Sequence, residues 1–105
     1  MPWANPNGYW LNARSINSHA PAQSGVYGLY KAELWIYIGE SEDIRARLLQ
    51  HLNGDNSCIN REAPTQFTYE LVPAGQRVAR KDLLIFLIFL PLYRTLDIDT
   101  FLSRR

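Results

Sequence analysis

The segment from Gly25 to Gly39, GVYGLYKAELWIYIG, constrains this chain more than any other. Two runs rich in β-branched and aromatic residues, Val26 to Tyr30 and Leu34 to Ile38, flank the short polar break Lys31–Ala32–Glu33. Such runs suit the pleated, half-buried surface of a sheet, and a short break between them predicts a β-hairpin. The break carries no Asn-Gly or Asp-Gly pair, so the turn type stays open. Gly39 ends the second strand, and its missing Cβ lets backbone or substrate come close. Beyond it, Glu40, Ser41, Glu42 and Asp43 place acidic residues in the first turn of a helix, with Ser41 the expected N-cap. Ile44, Leu48 and Leu52, spaced by four, give that helix an apolar stripe. Asn53–Gly54–Asp55–Asn56 stops it.

Downstream, Ser57 to Pro64 reads as loop, and Gln66 to Val72 as a third strand with Phe67, Tyr69 and Leu71 on one face. Pro73–Ala74–Gly75 breaks it. Arg77 to Leu90 reads as a helix interrupted at Pro91, although Leu83 to Leu90 is apolar all round and its periodicity fits a buried strand as well. Leu83 to Leu92 is about half a membrane span, so a core element that closes one side of the sheet is expected instead. Met1 to Ser24 reads as an irregular arm with one helical turn around Arg14 to Ser18. Its Trp3, Tyr9 and Trp10 side chains are expected to fold back on the domain. Asp97 to Leu102 reads as a short last helix. The order strand, strand, helix, strand, helix predicts an α+β fold, a small three-stranded antiparallel sheet flanked by helices. At 105 residues the expectation is one domain: arm 1–24, core 25–94, tail 95–105.

An apolar content of 47% excludes a disordered chain. The net charge of +1 does not announce a polyanion binder, so any nucleic-acid contact needs positive charge gathered locally. It is gathered at Arg45 with Arg47, at Arg77, Arg80 and Lys81, and at Arg104 with Arg105. The lone Cys58 excludes an intrachain disulfide and fits a reducing, cytoplasmic setting. The N-terminus has neither the basic start nor the apolar run of a signal peptide, and no membrane association is expected. His19 and Cys58 are too few and too scattered for a zinc site.

Gly25–Val26–Tyr27 and Tyr37–Ile38–Gly39, about ten residues apart on the paired strands, are followed on the next helix by Arg47 and His51. This set resembles the Gly-Ile-Tyr and Tyr-Ile-Gly triplets and the helix Arg and His of GIY-YIG nucleases. Gly28–Leu29–Tyr30 also reads as a first triplet but lies too close to Tyr37 for the family spacing. Taken singly, each of these tyrosines, Arg47 or His51 is an ordinary core or surface residue; the joint spacing carries the resemblance. Arg47 and His51, an i, i+4 pair, project from one helix face. Cleavage of a phosphodiester needs a water deprotonated near neutral pH, charge compensation on the phosphate and help for the departing oxygen. The resemblance implies Tyr27 as general base, Arg47 as phosphate stabiliser, and Tyr37 and His51 as water-positioning or proton-shuttling groups. Gly39, Arg45, Arg77 and Arg80 are the candidate substrate contacts.

The resemblance also implies one divalent ion, Mg²⁺ or Mn²⁺, held by an acidic residue on a later helix, usually Glu, with a Pro and often an Asn following. Aligned on Pro91, Asp82 takes the acidic position, with Lys81 its neighbouring alternative, and Arg94 stands near the Asn position. Asp reaches roughly 1.5 Å less than Glu but still ligates through oxygen. Glu40 and Glu70 are weaker candidates. The implied activity is a metal-dependent endonuclease acting on nucleic acid, DNA being the expected substrate although RNA is not distinguished. A protein partner or a homodimer would then supply target selection. The alternative is a catalytically impaired module of the same fold that binds nucleic acid or protein.

Overall fold

The structure is a computed structural model that describes residues 3–54 and 57–94. Its elements are β1 (Tyr9–Trp10), α1 (Ala13–His19), β2 (Gly25–Lys31), β3 (Leu34–Ser41), α2 (Ile44–Leu52), α3 (Ser57–Glu62), β4 (Gln66–Leu71) and α4 (Arg77–Arg94). A 3-10 turn at Ala74–Gln76 leads into α4. The antiparallel sheet has four strands, not three, in the order β1-β4-β2-β3. The extra strand comes from the arm, where Tyr9 pairs with Phe67 and Trp10 with Gln66. The hairpin forms as its composition predicts, Tyr27 opposite Gly39 and Leu29 opposite Tyr37, with an irregularity between Leu29 and Tyr30.

Residues opposite one another across an antiparallel pair share a face, so the register divides the sheet in two. One face carries Tyr27, Leu29, Tyr37, Phe67 and Tyr69, and packs on Ile16 and Ala20 of the α1 region, Ile44 and Leu48 of α2, and Ile59 of α3. The other carries Val26 and Ile38, and packs on Leu84 of α4 and on Trp3. Gly28 lies on this second face because the rings of Trp3 and Trp35 would both stand 2.7 Å from any Cβ there.

Several details depart from the sequence reading. The helical turn in the arm is a seven-residue helix, capped by Asn12, whose Oδ1 accepts from Ser15 N at 2.8 Å. Trp3 is buried and Tyr9 half-buried, but Trp10 is 64% exposed. The N-cap of α2 is Asp43, which accepts from Ala46 N, and the first turn has no acidic residue. Ser41 instead closes the turn before it, accepting from Asp43 N and donating to Asp43 O, both at 3.0 Å. The expected loop at 57–64 contains α3. The face ascribed to Phe67, Tyr69 and Leu71 loses its last member, since Leu71 is 54% exposed.

The largest correction concerns α4. It does close one side of the sheet, but it runs through Pro91 to Arg94, and only one stripe is covered. Leu84 is fully buried, while Leu83, Ile85, Phe86 and Leu87 are 37–45% exposed. A helix resting on one sheet face can bury only the residues that recur toward that face, whatever the composition of the rest. The expected helix over Asp97 to Leu102 lies outside the described residues. No helix among the described residues is long and apolar enough to cross a membrane.

Candidate active site

Tyr27 sits in the middle of β2 with its phenol laid across the backbone of Gly39. A Cβ at Gly39 would stand 2.6 Å from the Tyr27 oxygen and 2.7 Å from a Tyr37 ring carbon. The glycine therefore admits the protein's own tyrosine rings, a closer neighbour than the substrate expected there. The capped start of α2 aims its face at the same point, and His51 in its last turn brings Nε2 to 2.7 Å from the Tyr27 hydroxyl. Tyr37 completes a triangle of rings, with centroids 6.1 Å from Tyr27 and 5.5 Å from His51.

Tyr27 and His51 are almost closed to solvent, at 1% and 4% exposure. Tyr37 and Arg47 are half-buried and form the outer members of the group. Arg47 lies one turn before His51, and its Nη1 donates to Gln50 Oε1 at 2.7 Å. Burial, and then the neighbouring Tyr37, push the Tyr27 phenol well above the usual tyrosine range. The Arg47 guanidinium hydrogen-bonds the phenol and pulls the other way without overcoming burial. At neutral pH the phenol is protonated, and it shares one hydrogen bond with His51 Nε2 whose direction follows the imidazole tautomer. The arrangement is a sheltered proton-sharing pair behind a cationic and phenolic rim.

A cavity of about 140 Å³ reaches the His51 ring from the side, walled by Leu11, Leu52, Ile59, Asn60 and Ala63. Neither this wall nor the role of Gln50 figures in the sequence reading. Gln50 had a legible signal, its i, i+3 spacing from Arg47; the wall had none, because 57–64 reads as loop.

The remaining candidates are engaged elsewhere. Arg45 Nε donates to Ala20 O at 2.8 Å and ties α2 to the end of α1. Arg77 donates to Glu40 Oε2 and Ser24 Oγ, both at 2.9 Å. Arg80 grips Glu70 with Nε and Nη2 at 2.8 and 3.0 Å, and the pairing raises the guanidinium's proton affinity further. These arginines bind the fold's own carboxylates and carbonyls, and two of them pin the start of α4 to the back of the sheet.

The same contacts decide whether the acidic residues fit a divalent ion. Glu40 and Glu70 are each committed to an arginine. The side chain of Asp82 is 66% exposed. It stands roughly 200° around α4 from Leu84, the residue that faces the sheet. Helix α4 in turn packs on the face opposite the Tyr27–His51 pair. Lys81, 29% exposed, takes the more sheltered position, its Nζ 3.9 Å from the Asp82 carboxylate. Among the described residues no group of three His, Cys, Asp or Glu side chains could hold a metal ion. As they stand, the carboxylates do not make a metal centre with the tyrosine–histidine cluster, and the side chain of Asp82 lies away from that cluster.

The chain matches no family model and no curated protein. It is similar to the solved GIY-YIG N-terminal endonuclease domain of UvrC from Thermotoga maritima bound to its catalytic magnesium. That match has 25% identity and a TM-score of 0.58 over 67% of this chain and 85% of that one. A point mutant of the same domain, bound to its catalytic divalent cation, matches with the same identity and score over 84% of its length. The chain has the GIY-YIG endonuclease fold, as its triplets predict.

Proposed function

We propose that Tyr27, Tyr37, Arg47 and His51 form the working site of an endonuclease that hydrolyses phosphodiester bonds in nucleic acid, DNA foremost. The observation that carries this reading is the 2.7 Å contact between the buried Tyr27 hydroxyl and His51 Nε2, on the face that also holds Tyr37 and Arg47. Hydrolysis begins with a nucleophilic water losing a proton. A phenol that stays protonated is a poor base alone, but it relays well: it passes its own proton to His51 Nε2 as it takes one from the water. Arg47, permanently charged, offsets the negative charge that grows on the phosphate oxygens. Tyr37, at the rim, orients the water or donates to the departing oxygen. Arg45, Arg77 and Arg80 play no part in this reading. The bound magnesium of the UvrC domain belongs to that protein's site.

A plasmid-nicking assay in the presence of Mg²⁺ or Mn²⁺ tests the proposal. Arg47→Ala and His51→Ala should each lower the rate by about a hundredfold or more. Asp82→Ala should nick as the wild type does. Nicking that survives both Arg47→Ala and His51→Ala would sink the assignment. A wild type inert at every metal concentration would favour a second reading, a binding module of this fold. That reading draws on the dispersal of Glu40, Glu70 and Asp82 away from the cluster.

A further inference from the structure

A cavity lies on the sheet face opposite the tyrosine–histidine cluster. Its volume is about 310 Å³, and its walls include Asn7 of the arm, Tyr30 and Trp35 of the hairpin, Ala32 and Glu33 of the turn, and Thr68 of β4. The cavity is built by specific contacts. Thr68 Oγ1 donates to Asn7 O at 2.7 Å and holds the arm against the sheet. The Trp3 ring stacks behind Trp35 at 5.5 Å and fixes its plane. Tyr30 and Trp35 meet at 4.7 Å with a 49° tilt, so the two rings form an open V. At its lip Ala32 adopts φ +54°, a left-handed conformation that costs a residue bearing a Cβ about 1 kcal/mol or more.

The charge of the cavity selects its ligand. Glu33 is the one charged residue in its lining, its side chain is exposed, and it makes no ion pair among the described residues. Aromatic ring faces are electron-rich and attract cations, and a carboxylate beside them adds to the attraction. The same carboxylate repels phosphate, which disfavours a nucleotide. Between the two common protein cations, the planar guanidinium stacks on a ring while its N–H fork meets a carboxylate, and the ammonium does not stack. The volume admits a guanidinium with its aliphatic stem.

We propose that this cavity receives an arginine side chain of a partner protein, stacked on Trp35 and Tyr30 and hydrogen-bonded to Glu33. The inference does not depend on the catalytic reading, because the cavity and the Tyr27–His51 pair lie on opposite faces. A partner anchored there leaves the other face open to a nucleic acid.

The test uses the full chain labelled with ¹⁵N and the probe peptide acetyl-Gly-Arg-Gly-amide, beside its citrulline counterpart and deoxyadenosine monophosphate. Saturable shifts of the Trp35 indole and the Ala32 and Glu33 amides are expected with the arginine peptide and not with the uncharged one. Glu33→Gln, an exposed change that spares the fold, should weaken the arginine peptide about tenfold or more. The proposal is overturned if the citrulline peptide or the nucleotide produces the same saturable shifts. It is equally overturned if Glu33→Gln binds as the wild type does, or if no saturation is reached at the solubility limit of the arginine peptide.

Discussion

At the scale of single residues, the Tyr27 phenol is where sequence, packing and chemistry meet. Its hydroxyl is hydrogen-bonded but its ring is shut from water, and the cost falls on the charged form alone. A raised proton affinity in the folded state is a stability statement with a definite sign. An unfolded tyrosine ionises near pH 10, and a folded Tyr27 does not. Its contribution is therefore fully present below about pH 10 and is lost as pH rises toward the higher folded value. Tyr27→Phe should cost about 1–3 kcal/mol at neutral pH, from the buried His51 nitrogen it leaves behind. That deficit should shrink as pH climbs, because the phenylalanine chain has no ionisation to resist. Denaturant titrations at steps between about pH 8 and pH 11 would check this. Parallel stability curves for the two proteins would mean that the phenol ionises freely in the native state.

At the scale of elements, legibility followed pattern length. Strands β2 and β3 and helix α2 could be read because each repeats its chemistry over seven or more residues at a fixed period. Their spacing is enough to bring Tyr27, Tyr37, Arg47 and His51 to one side of the sheet. Strand β1 could not be read, since its two residues have no period to show. Helix α3, six residues long, was masked by Asn and Pro neighbours that usually mark loops. Pro91 reads as a stop because it lacks the N–H that a helix interior uses, yet α4 continues through it to Arg94. The position of Asp82 depends on how α4 rotates against the sheet. That rotation is set by Leu84 and by the Arg77–Glu40 and Arg80–Glu70 pairs, partners 37 and 10 residues apart that no motif connects. The half-buried state of α4 yields a sharp contrast. Leu84→Ala should destabilise by about 2–5 kcal/mol, and Phe86→Ala or Leu87→Ala by less than about 1 kcal/mol. Equal losses at Leu84 and Phe86 in a denaturant titration would show that the outer face of α4 is covered.

At the scale of the whole molecule, the arm is structural framework for both faces of the sheet, where the sequence reading treats it as a lead-in to a core beginning at Gly25. Ile16 and Ala20 are fully buried with Tyr27 and Phe67 on one face, and Trp3 is buried with Val26 and Leu84 on the other. Backbone bonds seal the arrangement: Leu11 N donates to Thr65 O at 2.9 Å, and Arg45 N to Pro21 O at 3.1 Å. Each large side chain removed from the core forfeits about 1.5–3 kcal/mol of burial, while a domain of this size holds about 5–15 kcal/mol in total. Ile16, Trp3 and the paired edge of β4 together consume most of that margin. A chain beginning at Gly25 should therefore lack a cooperative thermal transition, although it retains every residue of the proposed catalytic group. Trp3→Ala in the full chain should cost about 3–5 kcal/mol, and it should loosen Trp35, whose plane rests on the Trp3 ring. Circular dichroism melts of the truncated chain and of Trp3→Ala would decide the matter, and a cooperative melt of the truncated chain near the wild-type midpoint would overturn it. The Tyr27–His51 contact depends on the same framework. Pro21 and Ala20 fix the start of α2 through Arg45, and α2 in turn carries His51 to the phenol. Loss of the arm should therefore abolish nicking as well as folding, even in buffer conditions where residual secondary structure survives.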